Sequence, residues 1–154
     1  MKKHSGDLPQ RKWLSIDDFE FLCFDFTQEY LSFDEPIPDY STRNNSLLES
    51  ALGSPNQTFS NKFLYPTLIK QTSILFYSMI KNHPFENGNK RIAVMSMLTF
   101  LALNDRWLSI SPYKLYLLAC RVAESQPRDR QKILNFVETI LKENVGKFPV
   151  RKSR

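Results

Sequence analysis

Nine consecutive residues, His83-Pro84-Phe85-Glu86-Asn87-Gly88-Asn89-Lys90-Arg91, carry the side chains in this sequence best suited to chemistry. An imidazole, with an unperturbed pKa of about 6.5, takes a proton from an attacking hydroxyl near neutral pH. Lysine supplies a point charge for phosphate, arginine a forked donor, and glycine a backbone that an oxygen can approach closely. The apolar run from Ile92 to Leu103 places Asn89, Lys90 and Arg91 in the first turn of a helix. There the N–H groups lack intrahelical partners and the helix dipole is positive. Gly88, Asn89, Lys90 and Arg91 are therefore the candidate phosphate-binding residues, with the Asn89 amide orienting the anion and His83 as the catalytic base. Phe85 is expected to point into the core and anchor the loop. A polar turn between helices would share this composition, but not this order of residue types. The second of the two histidines, His4, lies in a polar leader.

The elements that must position the loop are mostly helical. Ser15 can cap a helix whose acids Asp17 and Asp18 complement its positive end. Along it Ile16, Phe19, Leu22, Phe26 and Tyr30 recur at helical spacing, and Pro36 and Pro38 close the element. Asn45 or Ser46 can cap a short helix that stops at Gly53. Residues 54–62 are expected to be a loop or a short extended segment around Phe59. Pro66 suits the first position of a helix with Leu68, Thr72, Leu75 or Phe76, and Met79 inward, ending near Lys81. The segment 90–103 is apolar on almost every side and belongs at the centre of a bundle. Asn104-Asp105 is a turn signal. Ser111-Pro112 opens a helix through Ala123, and a last helix spans 128–143, with Ile133, Phe136 or Val137, Ile140 and Leu141 inward. The expected fold is all-α: a compact bundle of about five or six helices with a short flap segment.

At 154 residues one domain is expected, over residues 13–145, between a flexible basic leader (1–12) and a basic tail (146–154). Frequent aromatics (13%) and only 4 glycines suit packed helices better than a turn-rich β fold. Part of the +5 charge lies in those ends, which is weak support for nucleic-acid binding, and no interleaved basic–aromatic surface stands out. Cys23 and Cys120 lie far apart among apolar residues, as buried reduced thiols do, and offer no zinc spacing. The start lacks the apolar run of a signal peptide, and no stretch reaches the ~20 apolar residues of a membrane span. A cytoplasmic protein without membrane contact is expected.

The ordered nonapeptide resembles the signature of the Fic/Doc (Fido) family: His, any residue, Phe, any residue, Asp or Glu, Gly or Ala, Asn, Gly or Lys, Arg. Lysine at the eighth position, the segment 46–51, and the helices on either side of the loop resemble the Doc (death-on-curing toxin) branch. The resemblance implies a Fido domain with His83 as general base and with Gly88, Asn89, Lys90 and Arg91 on the phosphates of ATP. It also implies a flap near residues 54–59 that aligns a protein target. Doc-like activity would be phosphoryl transfer from ATP to a hydroxyl of a translation factor such as elongation factor Tu, restrained by a cognate antitoxin. Fic-like activity would be AMP transfer instead. Two departures matter. Asn87 stands where the family has an acid that binds Mg²⁺; an amide oxygen can ligate Mg²⁺ but adds no charge. A catalytically weakened interaction domain is the reading that follows if the acid is indispensable. Deamidation at Asn87-Gly88 would create that acid. Val94 stands where AMP-transferring relatives carry a second arginine, so Glu143, in a segment matching the family's inhibitory pattern, has no partner there and is expected to be an ordinary surface residue.

Overall fold

The computed structural model describes residues 10–32 and 35–149. His4 and most of the basic leader, and residues 150–154 of the tail, lie outside the described residues. The described residues form six helices and two small antiparallel strand pairs. Helix α1 covers residues 16–30; Ser15 caps it by accepting from the Asp18 N–H. Its middle, Glu20–Phe24, is a π turn between α-helical Ile16–Phe19 and Asp25–Tyr30. A π turn adds a residue to the helical repeat, so the inward face moves off the 3.6-residue spacing. Phe19, Cys23, Phe24 and Thr27 are buried, whereas Leu22, Phe26 and Tyr30 of the expected apolar series face outward. Burial pushes the Cys23 thiol up from its ordinary pKa, and Ser96 lies 3.7 Å from its sulfur. Cys120 is half-buried rather than buried; both thiols are free.

Helix α2 is Asn45–Gly53, capped by Asn44, one residue earlier than expected, whose side chain accepts from the Leu47 N–H. After a 3-10 turn, β1 (Thr58–Phe59) and β2 (Lys62–Phe63) form a hairpin closed by Ser60-Asn61. Both turn residues have positive φ, as a two-residue hairpin loop requires. Phe59 stands exposed on this hairpin, and Phe63 packs edge-on to Trp13, which stacks on Phe100.

Helix α3 is Leu68–Asn82, and α4 is Asn89–Leu103. Thr67, not Pro66, opens α3: its hydroxyl accepts from the Lys70 N–H. Threonine can satisfy an orphan donor there and proline cannot. Helix α4 is the centre of the bundle, packed against α1, α3 and α5 (Pro112–Glu124). Ile92, Ala93, Met97, Phe100 and Leu101 are buried on it. Helix α6, Arg130–Asn144, lies on α3. Strand β3 (Arg106–Leu108) pairs with β4 (Val145–Lys147), so Gly146 and Lys147 belong to the folded body and not to a tail. At the other end the Lys12 N–H and C=O both bond the Asn104 amide, which ties the last leader residue down as well. Among the described residues no helix is long and apolar enough to cross a membrane.

Candidate functional site

The nonapeptide is the link between α3 and α4, the two most extensively packed helices. His83 ends α3 in the left-handed conformation, φ 53° and ψ 56°. Glycine, or sometimes asparagine, usually takes this place; other residues pay about 1 kcal/mol or more for it. Histidine is thus a strained choice at a backbone position where glycine would be unstrained. The imidazole is exposed. Next to it, the Pro84 carbonyl accepts from the Asn44 N–H at 2.8 Å, and the Asn82 amide donates to the Leu47 carbonyl, so the loop is seated on the start of α2.

Phe85 leaves the loop for the core. It is 2% exposed and lies 5.3 Å from the Phe24 ring, with Phe19 and Tyr40 at 6.4 and 6.3 Å. Asn89 holds the turn that aims it: its Oδ1 accepts from the Phe85 N–H at 3.0 Å and its Nδ2 donates to the Phe85 carbonyl at 2.7 Å. Both polar atoms of this buried amide are spent inside the loop. The expectation that it orients a phosphate therefore passes to its backbone N–H. An Asn89→Asp substitution keeps the shape but removes the donor and buries charge. We expect a loss of roughly 1–3 kcal/mol in thermal unfolding; an unchanged midpoint would mean the amide has no such structural task.

Gly88 precedes α4 with φ 84° and offers no side-chain cap. The first backbone bond of the helix is Ile92 N–H to the Gly88 carbonyl, which leaves the N–H groups of Asn89, Lys90 and Arg91 at an uncapped helix start. Two clefts meet at this point. One, of about 340 Å³, is lined by His83, Lys81, Asn87, Gly88, Asn89 and Lys90. The other, of about 700 Å³, shares residues 87–90 and continues over Arg91, Val94, Met95 and Leu98 to Tyr116 of α5. Lys90 is exposed, while Arg91 donates through Nη1 to the carbonyls of Leu31 and Glu35. Sequence reasoning missed Lys81. Its Nζ donates to the Ala123 and Ser125 carbonyls, which pins the end of α5 beside His83. Its place at the end of a helix, two residues before His83, was the available signal.

The residues present give a bound Mg²⁺ no carboxylate at the position where the resemblance places one. Among the described residues no three His, Cys, Asp or Glu side chains converge. The acid position is Asn87, whose Nδ2 donates to the Pro36 carbonyl at 3.2 Å. Glu86 is exposed beside it. Mg²⁺ sites lean on carboxylates and substrate phosphates, and position 87 supplies no carboxylate. Glu143 is exposed at the end of α6, next to β4. The β3–β4 pairing puts it near the C-terminal end of α4, whereas the nonapeptide opens the other end of that 15-residue helix, about 20 Å away.

A search of known proteins adds two findings. The model of the Fic/DOC family matches residues 13–101, more than half of the chain. A curated relative, "Toxin Doc" of Mycolicibacterium smegmatis, is 33% identical over 66 residues, covering 43% of this chain and 51% of that protein. The match thus spans about half of the relative's length. No solved structure matches the chain. The matched segment carries α1 to α4 and the whole nonapeptide, from the left-handed histidine to the helix start it faces: the chain belongs to the Fic/DOC family.

Proposed function

We propose that the chain is a Doc-like toxin that transfers the γ-phosphoryl group of ATP to a hydroxyl of a protein target. The observation that carries this reading is the single cleft in which His83 faces the uncapped start of α4. Phosphate oxygens dock on the N–H groups of residues 89–91, with Lys90 as counter-charge. His83 takes the proton of the incoming hydroxyl as its oxygen bonds the γ-phosphorus. The bond from that phosphorus to the β–γ bridging oxygen breaks, and ADP leaves with the electron pair. No step is assigned to a metal.

Phosphoryl transfer is favoured over AMP transfer on two grounds. Lysine at position 90 adds a long cation to the anion cradle, and Val94 provides no second arginine to grip the nucleotide. The relative named as a toxin supports an antitoxin partner for this chain. Elongation factor Tu, which only the resemblance to Doc implies, is the first target to assay. The exposed hairpin with Phe59 is the candidate flap.

Parallel reactions with ATP labelled in the α- or γ-phosphate test the proposal. Label from the γ-phosphate is expected on the target, with ADP released. Label from the α-phosphate would establish AMP transfer in its place. A folded protein that passes neither label to any candidate target would remove the enzymatic reading in favour of an interaction domain.

A further inference from the structure

The segment Glu35-Pro36-Ile37-Pro38 lies against the start of α4 and is held there by side-chain donors. Two of its residues are prolines, which bring no N–H, so it cannot pair as a strand does. All four carbonyls are nevertheless taken up. Glu35 O accepts from Arg91 Nη1 at 2.8 Å, and Pro36 O from Asn87 Nδ2 at 3.2 Å. Ile37 O and Pro38 O accept from Gln28 Nε2 at 3.2 and 3.1 Å. The Ile37 N–H donates to Ser32 Oγ at 3.1 Å. Buried Ile37 fills the space over Gly88, where a Cβ would stand 2.7 Å from its Cγ1. Two of the three donating side chains thus belong to the nonapeptide, and its glycine is the seat of the segment.

We propose that Asn87 is a positioning residue whose working atom is its amide nitrogen: it fastens residues 35–38 over Gly88, in place of the metal ligation that an acid would perform there. The inference rests on the reading of the site given above. Position 87 faces a carbonyl oxygen, and only a donor fits opposite an acceptor. A carboxylate would set two oxygens against each other with no proton between them, between a half-buried Asn87 and an exposed Pro36. The asparagine is therefore what this segment requires and not a decayed acid. It follows that deamidation at Asn87 would cut the fastening rather than complete a metal site.

Hydrogen exchange of the Ile37 amide in the nucleotide-free full chain reports on the segment directly, since both flanking residues are prolines. Asn87→Asp is expected to speed exchange roughly tenfold at pH 7, relative to the natural protein at the same pH. Asn87→Ala should speed it less, because it removes the donor without adding charge. Below the ordinary aspartate pKa of about 3.9 the substituted carboxyl regains a proton to donate, so its excess over the natural protein should shrink at pH 3. A merely packed side chain would show no such pH dependence. In parallel, the Mg²⁺ concentration needed for ATP binding should agree within about twofold between the natural protein and Asn87→Ala. Unchanged Ile37 exchange in Asn87→Asp overturns the proposal, as does a tenfold gain in Mg²⁺-dependent ATP binding by that variant. If no variant binds ATP, the functional reading fails while the exchange result still decides the role of Asn87.

Discussion

Replacing His83 with alanine is expected to lower transfer to the protein target by about 10²–10⁴-fold, with no loss of thermal stability. The first half follows from its place: among the described residues, the 340 Å³ cleft that His83 lines contains no second imidazole and no carboxylate, and the adjoining larger cleft has only Glu35, on the far side of Arg91. The second half follows from its backbone. At φ 53° a histidine and an alanine carry a similar left-handed penalty, and the exposed ring has little packing to lose. Glycine sharpens the test. His83→Gly relieves the strain and should raise stability by about 1 kcal/mol, or roughly 2–4 °C in melting temperature for a chain of this size, while abolishing transfer equally. A variant that is more stable and inactive separates chemistry from folding in one substitution. Transfer within tenfold of the natural protein in both variants would place the proton acceptor elsewhere.

How far the site could be read from the sequence depends on how far its interactions travel along the chain. The order of types from His83 to Arg91 lies within one loop, and the apolar run after it announces the helix whose start receives the anion. Ser111-Pro112 opens α5 as expected, because cap and first helical residue are neighbours. Asn87 and Arg91 behave otherwise: their partners, Pro36, Leu31 and Glu35, lie 51 to 60 residues away, and nothing in the local pattern points to them. Asn89 is a subtler case. Its partners are only four residues back, yet a loop amide that bonds its own backbone and one that awaits a ligand look the same in sequence. In α1 the failure has a different cause. Leu22, Phe26 and Tyr30 fit a regular helical repeat, but the π turn at Glu20–Phe24 shifts the repeat and turns them to the surface. Strands β3 and β4 are three residues each and become strands only through their pairing, so a period-two signal never develops.

Phe85→Ala should produce the largest loss of stability of any substitution in the loop. Truncating a buried phenylalanine costs about 3–5 kcal/mol, through lost transfer energy and the cavity left behind. For 154 residues that is roughly 10–15 °C in melting temperature. The ring closes an aromatic cluster with Phe19, Phe24 and Tyr40, contributed by α1 and by the segment before α2. Among the described residues its backbone is the only hydrogen-bonding partner of the buried Asn89 amide, so a loop that loses the ring also loses the frame for the start of α4. Leucine at the same place fills much of the volume and should cost less than half as much. Transfer measured well below both melting points then separates two tasks. If the ring acts only as an anchor, Phe85→Leu keeps most activity and Phe85→Ala loses activity along with local order. A Phe85→Ala protein that melts within about 1 kcal/mol of the natural chain would show that the loop is held by its amide bonds alone.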